Sequence, residues 1–92
     1  MIQSYGDPAT HDLFTGRDTR RWVNIQRTAM RKLAMLNRAS RLDDLRLPTS
    51  NHLKALKGEL AGFHSIRIND QFRIVFIWRD GQPYHVSIVD YH

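Results

Sequence analysis

The spacing of apolar residues splits this chain into two halves with different periods. In "RRWVNIQRTAMRKLAMLNR", Trp22, Ile25, Ala29, Leu33 and Leu36 recur at intervals of three and four. That stripe predicts one amphipathic helix over residues 19–38, with its apolar side in the core. Before it, "GDPATHDLFTG" offers Asp7 as an N-cap, Pro8 at the first helical position and Gly16 as a stop, a helix of about two turns. "MIQSY" suits a short edge strand. After the long helix, Ser40 in "SRLDDL" is placed to cap a short turn, and Pro48 stiffens the loop "RLPTSNH".

The second half alternates at the period of strands. "FHSIRI" and "FRIVFIW" are β-rich runs separated by the turn-like "ND". The second run is apolar at nearly every position, as expected of a central strand covered on both faces. Asp80-Gly81 is a hairpin signal, and "YHVSIVDY" supplies the returning strand. These elements predict an α+β fold, with helices packed on one face of a small, mostly antiparallel sheet. At 92 residues, the chain reads as a single domain, residues 1–92.

With Asp80 and Gly81 as the turn, the simplest register pairs Arg79 with Gln82, Val75 with Val86 and Arg73 with Ile88. Arg73 and Asp90 would then be diagonal neighbours on one face. His92 would project the same way and Tyr91 the other. A bulge or a longer turn would change this register. Arg73 is the one charged residue inside an apolar strand, and a buried guanidinium needs a carboxylate or an anionic ligand. An Arg73–Asp90 salt bridge is therefore one expectation and a phosphate site is the other.

Composition narrows the function. An apolar fraction of 41% with nine aromatic residues excludes a disordered chain. The absence of cysteine removes disulfides, thiolate nucleophiles and sulfur-ligated zinc. No apolar run is long enough to span a membrane, and "MIQSYGDPAT" has no signal-peptide core, so a soluble cytoplasmic protein without membrane partners is expected. Fourteen Lys and Arg against nine Asp and Glu give a net charge of +5, which suits a polyanionic partner such as nucleic acid. Arg20, Arg27, Arg31 and Arg38 fall on a second face of the long helix, with Arg21 and Lys32 beside them. They are candidates for contact with RNA or the ribosome, or else a solvated surface.

No histidine pair has a recognisable metal spacing, and no nucleophile elbow, phosphate loop or dinucleotide fingerprint occurs. Neither metal nor cofactor is expected. What remains is a basic sheet face ending in Asp90, Tyr91 and His92, with Lys54 and Lys57 in "LKALKG" just before the first long strand. That set suits metal-free RNA cleavage. A base frees the ribose 2′-oxygen to attack the adjacent phosphate, cations hold the phosphorane, and an acid protonates the departing 5′-oxygen. Histidine, near pKa ~6.5, serves either proton step, whereas tyrosine, near ~10, needs neighbouring cations to act as a base.

"LKALKGELAGFHSIRINDQFRIVFIW" with the terminal "VDYH" resembles the HigB branch of the RelE/ParE toxin superfamily. The likeness extends to "MIQSY", the "LF" helix and "RKLAMLNRA". It implies a RelE-like fold and a bacterial type II toxin that cuts messenger RNA in the decoding site of the 70S ribosome. It further implies a HigA-type antitoxin with a helix-turn-helix, through which alone the complex would bind operator DNA. The matching positions are Lys57, Arg73, Asp90, Tyr91 and His92. Lys54 stands where some relatives carry a catalytic histidine; a lysine there can stabilise charge but is a poor base unless its pKa is depressed. Arg73, Lys54 and Lys57 would hold the phosphate, Asp90 would orient its neighbours, and Tyr91 and His92 would divide the base and acid roles. His64 is a further candidate, or packs beside Ile66 and Ile68. Two rivals remain: a ParE-like toxin that poisons DNA gyrase without nuclease activity, and a non-catalytic basic module that only binds RNA.

Overall fold

The computed structural model describes residues 1–17 and 20–91. Two helices precede a four-stranded antiparallel sheet: α1 (Pro8–Phe14), α2 (Gln26–Arg38), β1 (Lys54–Ala55), β2 (His64–Arg67), β3 (Phe72–Arg79) and β4 (Gln82–Asp90), with the strands in chain order across the sheet. Leu13, Ala29, Leu33 and Leu36 of the helices pack against Ile66, Ile74, Phe76, Val86 and Ile88 on one face of that sheet. This is the α+β arrangement that the two periods predict. No helix among the described residues is long and apolar enough to cross a membrane.

α1 forms as its residues dictate. The Asp7 side chain accepts from the Thr10 amide at 2.7 Å, Pro8 opens the first turn, and Gly16 follows at φ 78°. The fully buried Thr10 hydroxyl then accepts the Ile88 amide at 3.0 Å, fastening the helix to β4. The long helix is shorter than its stripe. Arg20–Trp22 is a single 3₁₀ turn, and α2 starts only at Gln26 with no side-chain cap on Ile25. Val23, Asn24 and Ile25 are weak helix formers. Trp22 and Ile25 are nevertheless buried (6% and 7% exposed), so the apolar stripe marks the core even where the helix breaks. Thr19, the first residue of the predicted helix, lies outside the described residues, as does Asp18 before it.

The hairpin register departs from the simple one. Arg79 pairs with Gln82 and Ile77 with Tyr84, but Val75 meets Ser87, Arg73 meets Val89 and Phe72 meets Asp90. β4 carries one extra residue at a bulge, where His85 takes a left-handed backbone (φ 53°). The bulge is tied down by the N-terminal segment. The Ser4 hydroxyl accepts the His85 amide at 2.9 Å, and backbone bonds join Gly6 to Val86 and Val86 to Ser4. "MIQSY" thus runs beside β4, bridging it in parallel at Tyr5.

The cause of the shift is burial. In the unbulged register Ile74 and Phe76 would face Ser87 and His85; the extra residue sets them against Ile88 and Val86. Because side chains alternate, a one-residue slip reverses every later side chain. Asp90 therefore does not share a face with Arg73: it lies opposite Phe72, and its carboxylate accepts from Gln71 Nε2 at 3.0 Å. Tyr91 takes the Arg73 face instead.

Lys32 also departs from expectation. It is not part of a solvated basic face but is buried (5% exposed), donating to Oδ1 of the fully buried Asn51. Asn51 Nδ2 in turn donates to the Leu45 carbonyl at 3.1 Å. Burial pushes the Lys32 ammonium below the usual lysine value, and Arg31 and Arg67 add to the shift. Between the lowered folded value and the unfolded 10.5, the unfolded chain binds more protons, so stability rises with pH in that window. Denaturant midpoints followed upward through that window should show this gain. Lys32→Met should abolish it.

Candidate active site

The open face of the sheet is assembled from three strands and the residue after β4. β1 pairs Lys54 with Ser65 and β2 pairs Ser65 with Val75 and Arg67 with Arg73, so all five side chains share the face away from the helices. Tyr91 joins them because its amide donates to the Gln71 carbonyl at 2.7 Å, which extends the β3–β4 ladder. The Lys54 ammonium and the Arg73 guanidinium each stand 5.9 Å from the centre of the Tyr91 ring, within cation–π range. Lys54, Ala55, Leu56, Lys57 and Tyr91 line a shallow depression of about 270 Å³. At 36% exposure, the Tyr91 phenol is reachable by a ligand in it.

Arg73 is half-buried and held from behind. Its Nε donates to Ser65 Oγ at 2.8 Å and a terminal nitrogen donates to the His52 carbonyl at 2.6 Å. Burial pushes its guanidinium below the ordinary value, Tyr91 works against that, and Arg67 adds to it. Arg67 and Arg73 are like charges directly across two strands, which is unfavourable by itself; Asp70 pairs with Arg67 and offsets it.

The fold therefore brings Lys54, Lys57, Arg73 and Tyr91 together. Asp90 adjoins Tyr91 in sequence but points to the other face. His64 lies opposite Phe76 on the helix-packed face, its ring stacked on the Phe76 ring at 6.2 Å. Among the described residues its buried Nδ1 has no hydrogen-bond partner. Arg20, Arg27, Arg31 and Arg38 are exposed, but they belong to α2 and the turn before it, which cover the opposite side of the sheet. His92 lies outside the described residues. Ser65 and His52 carried no sequence signal: one is a serine in a strand, and the other contributes only its backbone.

Residues 3–92 match the family described as HigB-like toxin, RelE-like toxin of type II toxin–antitoxin system HigB. The chain belongs to this family. It is a type II toxin of the HigB/RelE kind. Toxin HigB-1 of Vibrio cholerae serotype O1 is 38% identical over 81 residues, which is 88% of this chain and 78% of that protein. An uncharacterized protein of Haemophilus influenzae is 32% identical over 59 residues, covering 64% of this chain and 58% of the other. Among solved structures, the YoeB–YefM toxin–antitoxin complex from Staphylococcus aureus superposes with a TM-score of 0.62 at 18% identity, over 100% of this chain and 98% of that one. A heterotetrameric form of the same complex superposes equally well, at 17% identity. At that identity the likeness concerns the fold, and it assigns the sheet-and-helix arrangement to the RelE/YoeB type.

Proposed function

We propose that this HigB-family toxin is a ribosome-dependent messenger RNA endonuclease that works without a metal. The observation that carries this is the placement of a reachable phenol, Tyr91, against the two cations Lys54 and Arg73, with Lys57 lining the same depression. A phosphodiester laid there would have its non-bridging oxygens held by Arg73 and the lysines. The ribose 2′-oxygen attacks the neighbouring phosphorus, its proton is taken up, and the P–O5′ bond breaks as the 5′-oxygen gains a proton. Arg73, Lys54 and Lys57 stabilise the charge that gathers on the phosphorane. Tyr91 handles one of the two protons and His92, the next residue, the other. Asp90 acts from the far side of the strand end, orienting the terminal residues without touching the phosphate.

The partners proposed are the 70S ribosome with its messenger, and a HigA-type antitoxin whose helix-turn-helix carries the complex to operator DNA. The setting is the cytoplasm, where translation takes place. Arg27, Arg31 and Arg38, with Arg20, would grip ribosomal RNA at a distance from the chemistry.

A depression of about 270 Å³ is too small to enclose an RNA strand, so purified toxin should cut free RNA poorly and ribosome-bound messenger efficiently. Mapping RNA 5′ ends after induction tests the reaction type. Cuts inside translated codons are expected. Gyrase-linked DNA breaks without such cuts would replace the nuclease with the gyrase-poisoning alternative. Equal cleavage of free and ribosome-bound RNA would remove the ribosome from the proposal.

A further inference from the structure

The Arg73 guanidinium does not merely happen to lie near the phenol; two acceptors at its back determine where it points. Ser65 is fully buried, and its hydroxyl accepts from Nε at 2.8 Å. The His52 carbonyl accepts from a terminal nitrogen at 2.6 Å. These bonds take the Nε–H and one terminal N–H, leaving the other terminal N–H groups for a ligand.

The His52 carbonyl can reach Arg73 because His52 ends the 3₁₀ turn Thr49–Asn51 in a left-handed backbone (φ 45°, ψ 55°), its own amide bonded to the Thr49 carbonyl. That turn is anchored by Asn51, the buried partner of Lys32. The acceptors therefore sit on a strand and a pinned turn: one is a short, fully buried side-chain hydroxyl and the other a backbone carbonyl.

We infer that Ser65, together with the backbone carbonyl of His52, is a positioning device for Arg73. It turns a flexible arginine into a fixed fork aimed at the phosphate beside Tyr91. Ser65 touches neither substrate nor reacting atoms; it acts through Arg73. A long side chain with several rotatable bonds loses little further freedom on binding if it is already held. The catalytic consequence rests on the nuclease reading above, whereas the clamp itself does not.

The test pairs a structural readout with a kinetic one. In wild type, the Arg73 Nε–H should give a resolved nitrogen-correlated NMR signal protected from exchange with water. In Ser65→Ala that signal should lose its protection while the melting temperature stays close to wild type. Single-turnover cleavage of messenger on ribosomes should fall about 3–10-fold, the worth of one hydrogen bond at the transition state, with ribosome affinity unchanged within about twofold. Ser65→Thr, which restores the hydroxyl, should recover both signal and rate. His52→Val, which disfavours the left-handed backbone, should lose more than His52→Asn, which tolerates it.

Protection that survives in Ser65→Ala, or lost protection with a wild-type cleavage rate, would overturn the inference. If Ser65→Thr does not fold, the NMR and rate comparison of Ser65→Ala with wild type still decides. If wild type itself cuts no RNA on ribosomes, the nuclease reading fails, and the protected Nε–H separately decides whether the clamp exists.

Discussion

Tyr91→Phe is expected to lower single-turnover cleavage of ribosome-bound messenger by about 10²–10⁴-fold, the usual worth of a positioned acid or base, and to leave melting unchanged. The substitution removes one oxygen and keeps the ring. The contacts of Lys54 and Arg73 at 5.9 Å are to that ring, and the backbone bond to Gln71 is indifferent to the side chain. The phenol is also partly in solvent, so its loss leaves no buried polar group unpaired. Binding and fold should therefore survive while the chemical step does not. The measurement is a rate at saturating toxin on programmed ribosomes, beside a thermal melt. A rate within threefold of wild type would make Tyr91 a stacking platform and move the proton chemistry to His92.

The second large effect concerns register. Deleting Val89 should abolish cleavage as deeply as Tyr91→Phe, by about 10²–10⁴-fold, although the core residues of β4 before it are untouched. Loss of one residue after Ile88 moves Tyr91 into the place Asp90 now occupies, opposite Phe72 and away from Arg73. Deleting His85 should behave differently. It takes out the extra residue of the bulge, lets Val86 pair regularly with Phe76, and leaves Tyr91 on its present face. Its cost should be confined to stability, through the lost bond between the His85 amide and Ser4. Both deletions are assayed alike, for cleavage and for melting. Equal loss of cleavage from the two would mean that face alternation does not govern the site.

How far the sequence discloses these features depends on whether the controlling interaction is local. α1 was readable because Asp7, Pro8 and Gly16 act within their own turn. The stripe from Trp22 to Leu36 was readable as core because burial follows the spacing, yet the helix break at Val23–Ile25 was hidden by the same spacing. The cations Lys54, Lys57 and Arg73 and the phenol Tyr91 could be named, but not their geometry. The simple register put Arg73 with Asp90 and Tyr91 on the other side, and the bulge at His85 exchanged them. A signal did exist: Val86 and Ile88 alternate with polar residues, and a register that buries them against Phe76 and Ile74 needs one extra residue in β4. The apolar run of β3 masked it, because a strand that is apolar on both faces accepts either register. Lys32 looked like its arginine neighbours because its partner, Asn51, is distant in sequence and recognisable only in the fold. Nothing in a sequence marks the His52 carbonyl.

The N-terminal segment that fastens the bulge has another consequence, for how other chains can attach. An unpaired strand offers a row of free amides and carbonyls on which a second polypeptide can continue the sheet. Here Gln3, Ser4 and Gly6 already bond to Pro83 and Val86 along the outer flank of β4, and the opposite flank is β1, only two residues long. A second molecule of toxin therefore has little template on which to polymerise, and an antitoxin has little backbone to extend. A partner chain should then hold this toxin through side-chain contacts and not by extending its sheet.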